Sequence, residues 1–132
     1  MSWKNKRVFV TGANGFLGSH LTKNLVKRGA NVFALIYEPN KGSIFEEENL
    51  SKKVTVINGN VCNMSLMRKT LLDNKIEVVF HLAAQAIVDQ AINNPLQTFE
   101  SNVRGTWRLL DVARRTYSVN KIIVASSDKA YG

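Results

Sequence analysis

Val8-Phe9-Val10-Thr11-Gly12-Ala13-Asn14-Gly15-Phe16-Leu17-Gly18 decides how this chain is read. The stretch opens apolar and β-branched, the composition of a buried strand. It breaks into three glycines spaced three apart and runs on into Leu17, Leu21 and Leu25, a four-residue repeat that predicts a helix facing a core. Gly12 suits a tight turn, Gly15 lets backbone approach a pyrophosphate, and Gly18 lets helix and strand pack closely. The helix N-terminus then presents free N–H groups and a partial positive charge to phosphates. Glycine also serves strand-to-helix turns that bind nothing; the strand before and the helix after are what point to a dinucleotide-binding loop.

Working outward, Gly29 suits the end of the first helix. Asn31-Val32-Phe33-Ala34-Leu35-Ile36 reads as a second buried strand, ending at Tyr37-Glu38-Pro39. Glu38 follows Gly18 at the distance where an acidic side chain meets adenosine ribose hydroxyls, which favours NAD over NADP. Lys41 nearby keeps NADP open, and a plain loop charge is the simpler alternative. Ser43 to Leu50 suits a short acidic helix, and Lys53 to Ile57 a third strand. Asn63 is placed to cap a helix carrying Met64, Met67 and Leu71. Glu77 to Gln85 reads as a fourth strand and its end, with His81 a packed core histidine rather than a catalyst.

Asn94, Pro95 and Gln97 form a capping pattern that opens a long helix from Pro95 to Tyr117. Its stripe runs Leu96, Phe99, Val103, Trp107, Leu110, Ala113, Tyr117. Leu96, Phe99, Val103, Leu110 and Ala113 are expected to face the sheet, while Trp107, Leu109 and Val112 widen the apolar surface. Gly105 inside that helix suggests close packing on the sheet. Lys121 to Ala125 is the fifth strand, followed by Ser126-Ser127-Asp128-Lys129-Ala130-Tyr131-Gly132. Strands alternating with helices imply an α/β fold, a Rossmann-like doubly wound parallel sheet of order 3-2-1-4-5 with right-handed crossovers. Ligand is expected at the carboxyl ends of strands 1 and 4.

With 132 residues the chain suits one domain, and 45% apolar against 21% charged residues is ordinary for a globular one. The formal charge of +8 raises nucleic-acid binding, but the basic residues are scattered and no aromatic residues interleave them as stacking platforms. A basic surface that favours phosphorylated ligands is the simpler reading. No apolar run is long enough to span a bilayer, so neither a membrane nor a nucleic acid is an expected partner. Cys62 is the single cysteine, which excludes an internal disulfide, points to the cytoplasm and suggests a small core residue.

Thr11-Gly12-x-x-Gly15-Phe16-Leu17-Gly18 resembles the short-chain dehydrogenase/reductase superfamily, particularly its extended, nucleotide-sugar branch of NAD-dependent epimerases and dehydratases. His81-Leu82-Ala83-Ala84 and Asn102-Val103-Arg104-Gly105-Thr106 resemble further segments of that branch. The resemblance implies NAD as cofactor, contacted by Gly12, Asn14, Gly15, Phe16, Leu17 and Gly18 in the turn. It adds Glu38, then Asn60 (where the family usually has Asp) and Val61, then Leu82, Ala83 and Ala84, and finally Asn102. No metal is implied. The long helix is implied to join a homodimer or other self-association.

At the end of the fifth strand the family carries a catalytic Ser or Thr. Ser127-Asp128-Lys129 resembles the Asp-Lys type of nucleotide-sugar 4,6-dehydratase, including the CDP-glucose enzymes. That chemistry is oxidation at sugar C4, loss of water across C5–C6 and return of hydride to C6. Ser127 would then hydrogen-bond the C4 oxygen, Asp128 act as acid and Lys129 as base. Tyr37…Lys41 and Tyr117…Lys121 share the spacing of the family's Tyr-x-x-x-Lys, yet neither pair fits one helical face. The chain therefore resembles the first half of a family member, without that helix and the substrate domain, and is expected to be inactive alone. Three function classes remain: a dehydratase part, a nucleotide-sugar epimerase or reductase part, and a non-catalytic dinucleotide-binding module.

Overall fold

The computed structural model describes residues 2–131. Five strands build it: β1 (Arg7–Thr11), β2 (Asn31–Ile36), β3 (Thr55–Asn58), β4 (Val78–His81) and β5 (Lys121–Val124). All pairings are parallel, in the order β3-β2-β1-β4-β5, as expected from the alternation. The register sets Val8 beside Val32 and Val78, and Phe9 beside Phe33 and Val79. Successive residues of a strand point to opposite faces. Val8, Val10, Val32, Ala34, Ile36 and Val78 therefore enter one core with Leu25, Phe45 and Leu50. Phe9, Leu35 and Val79 enter the other with Met67, Leu71, Leu109, Val112 and Ala113. A sheet covered on both faces needs continuous apolar strands, and β1 is such a strand.

The first core is covered by α1 (Phe16–Lys27) and the short α2 (Ile44–Glu47), which Ser43 caps by accepting from Glu46 N–H. Of the expected Leu17-Leu21-Leu25 row, Leu25 is buried and Leu21 packs partly buried against the first core, but the rest of the buried face of α1 is Gly18, Ser19 and Thr22. Leu17 is 59% exposed. The cause is proximity: a Cβ built on Gly18 would lie 1.9 Å from the Gly12 carbonyl oxygen. A helix that near to the β1 turn meets it with small side chains, which turns Leu17 outward while Leu21 and Leu25 stay on the core side. At its far end Gly29 takes φ +81°, the expected left-handed stop.

The second core is covered by α3 (Met64–Asp73) and by a composite helix. Asn63 caps α3 as expected, accepting from Leu66 N–H at 3.0 Å. The stretch expected as one helix from Pro95 to Tyr117 is instead α5 (Pro95–Phe99), a π-helical turn over Glu100–Arg104, and α6 (Gly105–Arg114), with the short α4 (Val88–Asn93) before it. Its sheet face is also corrected. Gly105, Leu109, Val112 and Ala113 are buried, whereas Leu96, Phe99, Val103, Trp107 and Leu110 are exposed, and Tyr117 lies beyond the helix in solvent. Gly105 explains the choice. A Cβ there would sit 2.9 Å from Val61 Cγ1 and 3.4 Å from Cys62 Sγ, so close approach is to the loop after β3 rather than to a strand.

Candidate dinucleotide cleft

A cleft of about 730 Å³ opens at the carboxyl ends of the strands, where the chain leaves β1 for one face and β4 for the other. A ligand site is expected at such a switch point. Twelve of the thirteen residues expected at the cofactor line it: Gly12, Asn14, Gly15, Phe16, Leu17 and Gly18 from the first turn, Glu38 after β2, Asn60 and Val61 after β3, and Leu82, Ala83 and Ala84 after β4. Asn102 is outside the lining. Its amide is spent on the Gln85 backbone, accepting from N–H at 2.7 Å and donating to C=O at 3.0 Å.

The glycine turn carries its own test of fit. Gly12 has φ +67°, and a Cβ there would meet Ala83 N and Leu82 C at 2.9 Å. With no side chains at Gly12, Gly15 and Gly18, backbone lies bare along the cleft floor. Gly15, the residue before α1, makes no side-chain cap, so the first-turn N–H groups remain free for an anion. This donor set suits a pyrophosphate. Asn14 braces the rim, donating to Glu38 O at 2.7 Å and accepting at its own carbonyl from Asn40 Nδ2 at 2.8 Å. That brace places exposed Glu38 at the edge of the cleft.

Asn60 differs from the simplest expectation, because its Oδ1 already accepts from Cys62 N–H at 2.8 Å and closes a local turn. Cys62 is partly buried and packs against the second core. It lines the cleft, and its thiol donates to Glu100 O at 3.2 Å. Burial, and then the Glu100 carboxylate, push this thiol above its ordinary value, with Arg104 and Arg108 opposing. A thiol held protonated is a poor nucleophile. Cys62, from the loop after β3, and Gln97 and Glu100, from the composite helix, also line the cleft, and none was expected there.

His81 is buried as expected, with Nδ1 2.8 Å from Thr11 Oγ1 and Nε2 2.8 Å from Thr106 Oγ1. Burial lowers its affinity for a proton. At the end of β5 the cleft lining reaches Ala125. Ser127, Asp128 and Lys129 lie just beyond it, Ser127 immediately before and the other two on a single 3₁₀ turn over Asp128–Tyr131. Ser127 Oγ accepts from Lys129 N–H at 3.2 Å, and the exposed Asp128 and Lys129 side chains pair at 3.5 Å. Among the described residues no three His, Cys, Asp or Glu side chains are grouped to hold a metal, and no helix is long and apolar enough to cross a membrane.

A model of the NAD dependent epimerase/dehydratase family matches residues 8–132. The chain belongs to that family. It is 35% identical over 130 residues to a CDP-glucose 4,6-dehydratase from Salmonella typhimurium, covering 98% of this chain and 36% of that protein. It is 34% identical over 129 residues to a UDP-glucose 4-epimerase from Klebsiella pneumoniae, covering 96% of this chain and 92% of that protein. The fold matches the crystal structure of UDP-glucose 4-epimerase from Bifidobacterium longum in complex with NAD+ and UDP, with a TM-score of 0.83 and 28% identity. That match covers 96% of this chain and 38% of the epimerase. The chain thus spans little more than a third of the Salmonella dehydratase and of the Bifidobacterium epimerase. Dehydratases and epimerases share this part, so family membership leaves the reaction type open.

Proposed function

We propose that this chain binds NAD in the cleft and forms the dinucleotide-binding part of a nucleotide-sugar 4,6-dehydratase. The observation that carries the cofactor reading is the glycine turn, where backbone without side chains faces free N–H groups at the start of α1. Bound there, NAD supplies reversible hydride transfer to and from the sugar. Glu38 at the rim would hydrogen-bond the adenosine ribose and repel the extra phosphate of NADP. The dehydratase reading is supported by Ser127-Asp128-Lys129, which leaves the sheet beside Ala125 of the cleft wall. In it Asp128 gives a proton to the departing C6 hydroxyl, Lys129 takes the proton from C5, and Ser127 holds the C4 oxygen.

An epimerase or reductase part would share the cleft and give Lys129 no role. The two reactions differ in the fate of the C5 hydrogen. In the whole protein, incubation with a nucleoside diphosphate glucose in D₂O is expected to give a 4-keto-6-deoxy product carrying deuterium at C5. Inversion at C4 with the C5 hydrogen retained would sink the dehydratase reading.

We also propose a second copy of this chain as the partner. Leu96, Phe99, Val103 and Trp107 form an exposed apolar row along the composite helix, 45–78% accessible. A contiguous row of that kind marks an association surface. Light scattering across a concentration series is expected to show self-association. A chain that stays monomeric at high concentration would count against it.

A further inference from the structure

Between β1, β4 and α6 runs a hydrogen-bond chain whose proton positions follow from counting. Thr11 Oγ1 accepts from Leu82 N–H and from Ala83 N–H, each at 3.1 Å. A hydroxyl oxygen has two acceptor sites and one proton. Both sites are filled, so the contact of Thr11 Oγ1 with His81 Nδ1 at 2.8 Å has the hydroxyl donating to a bare nitrogen. The imidazole, whose burial favours the neutral form, then carries its proton on Nε2. Nε2–H donates to Thr106 Oγ1 at 2.8 Å, which leaves the Thr106 proton free for Asn102 O at 2.9 Å. Asn102 in turn clamps the Gln85 backbone at both its N–H and its C=O. The Thr11 and Thr106 hydroxyl protons and the imidazole proton thus each have one acceptor.

We propose that His81 is a positioning residue: fixed as the Nε2–H tautomer, it couples α6 and its π-helical turn to the Leu82–Gln85 segment that forms one wall of the cleft. The coupling runs in one direction of donation, Thr11 to His81 to Thr106 to Asn102. Reversing the tautomer would aim an Nδ1–H at an oxygen that already accepts twice. Leu82 N–H also reaches Thr11 O at 3.2 Å, so the amide left without a partner would be that of Ala83. Ala83 is the residue against which Gly12 packs. Thr106 is outside the cleft lining, so its effect on a cleft ligand would pass through His81. The affinity part of this inference rests on the dinucleotide reading, and the tautomer part does not.

The test compares the chain with Thr106→Ser, which keeps the hydroxyl, and Thr106→Val, which keeps the shape and removes it. In the ligand-free wild type, ¹⁵N NMR of His81 at neutral pH is expected to show a protonated Nε2 and a bare Nδ1. Thr106→Val is expected to speed amide exchange at Ala83 and weaken NAD+ binding, each on the order of tenfold, the scale of one buried hydrogen bond. Thr106→Ser is expected to restore all three signals. A wild-type imidazole protonated on Nδ1, or on both nitrogens, overturns the proposal even if Thr106→Val fails to fold. A valine variant with wild-type exchange also overturns it, as does a serine variant as impaired as the valine one. If the wild type takes up no NAD+, the dinucleotide reading falls, while the imidazole spectrum and Ala83 exchange still decide the tautomer and the coupling.

Discussion

Gly18→Ala is expected to lose NAD+ binding altogether and to unfold at lower denaturant concentration. The added Cβ would stand 1.9 Å from Gly12 O, 2.8 Å from Gly12 C and 3.0 Å from Ala13 Cα. All three are backbone atoms of the turn, so no side-chain rotation relieves the contact. α1 must move away from β1, which loosens Thr22 and Leu25 in the first core and spreads the free N–H groups. Overpacking of this kind costs about 1–3 kcal/mol, and more where backbone has to yield. Gly15→Ala is the control, because its Cβ would meet only Gly12 O at 3.3 Å. That variant should keep its urea midpoint and lose affinity, since the methyl group projects where a pyrophosphate would approach.

Calorimetric titration with NAD+ and urea unfolding measure both effects. Wild-type affinity in folded Gly15→Ala would place the cofactor elsewhere, and wild-type behaviour of Gly18→Ala would refute the close approach itself. The same titration with NADP+ is expected to show weaker binding to the wild type. Equal or reversed affinities would remove Glu38 from its role.

The second large effect concerns the turn after β5. In the whole protein, Asp128→Asn and Lys129→Met are each expected to lower dehydration by about 10²–10⁴-fold, the range for a lost general acid or base. NAD+ binding should hold, because the cleft lining stops at Ala125. Asp128 and Lys129 pair at 3.5 Å and are more than four-fifths exposed, so neither carries packing whose loss would confuse the result. The double variant should be little worse than either single one, since both groups serve one elimination and remove the same step. Loss of deuterium incorporation at C5 in Lys129→Met would identify the base. Turnover within a few-fold of wild type in both variants would mean that the pair is an ordinary polar turn.

Much of the architecture was legible in the sequence because it is written in local chemistry. Val8-Phe9-Val10 had to be a strand buried on both faces, and Gly12, Gly15 and Gly18 had to turn it into a helix. Asn63 and Asn94 announced helix starts by supplying the acceptor that a first turn lacks. The cleft followed, since strand order determines where loops diverge. Twelve of the thirteen expected cofactor residues lie in it because the family's motifs sit on those loops.

The remainder was decided by tertiary structure, for a common reason. Periodicity shows which residues share a helix face, but a helix with apolar residues on two faces does not declare which one meets the sheet. On α1 and α6 the closest approach decided it: the helix turns toward its neighbour at Gly18 and at Gly105, and the larger row of Leu96, Phe99, Val103 and Trp107 is left outside. Polar side chains pose the same problem. Asn102 reads as a ligand contact until the Gln85 backbone that claims its amide is brought within 3 Å, and Asn60, which does line the cleft, is there also tied to Cys62 N–H. His81 could be read from its strand as buried. Its proton could be placed only once Thr11 and Thr106, 70 and 25 residues away along the chain, stood on either side of the ring.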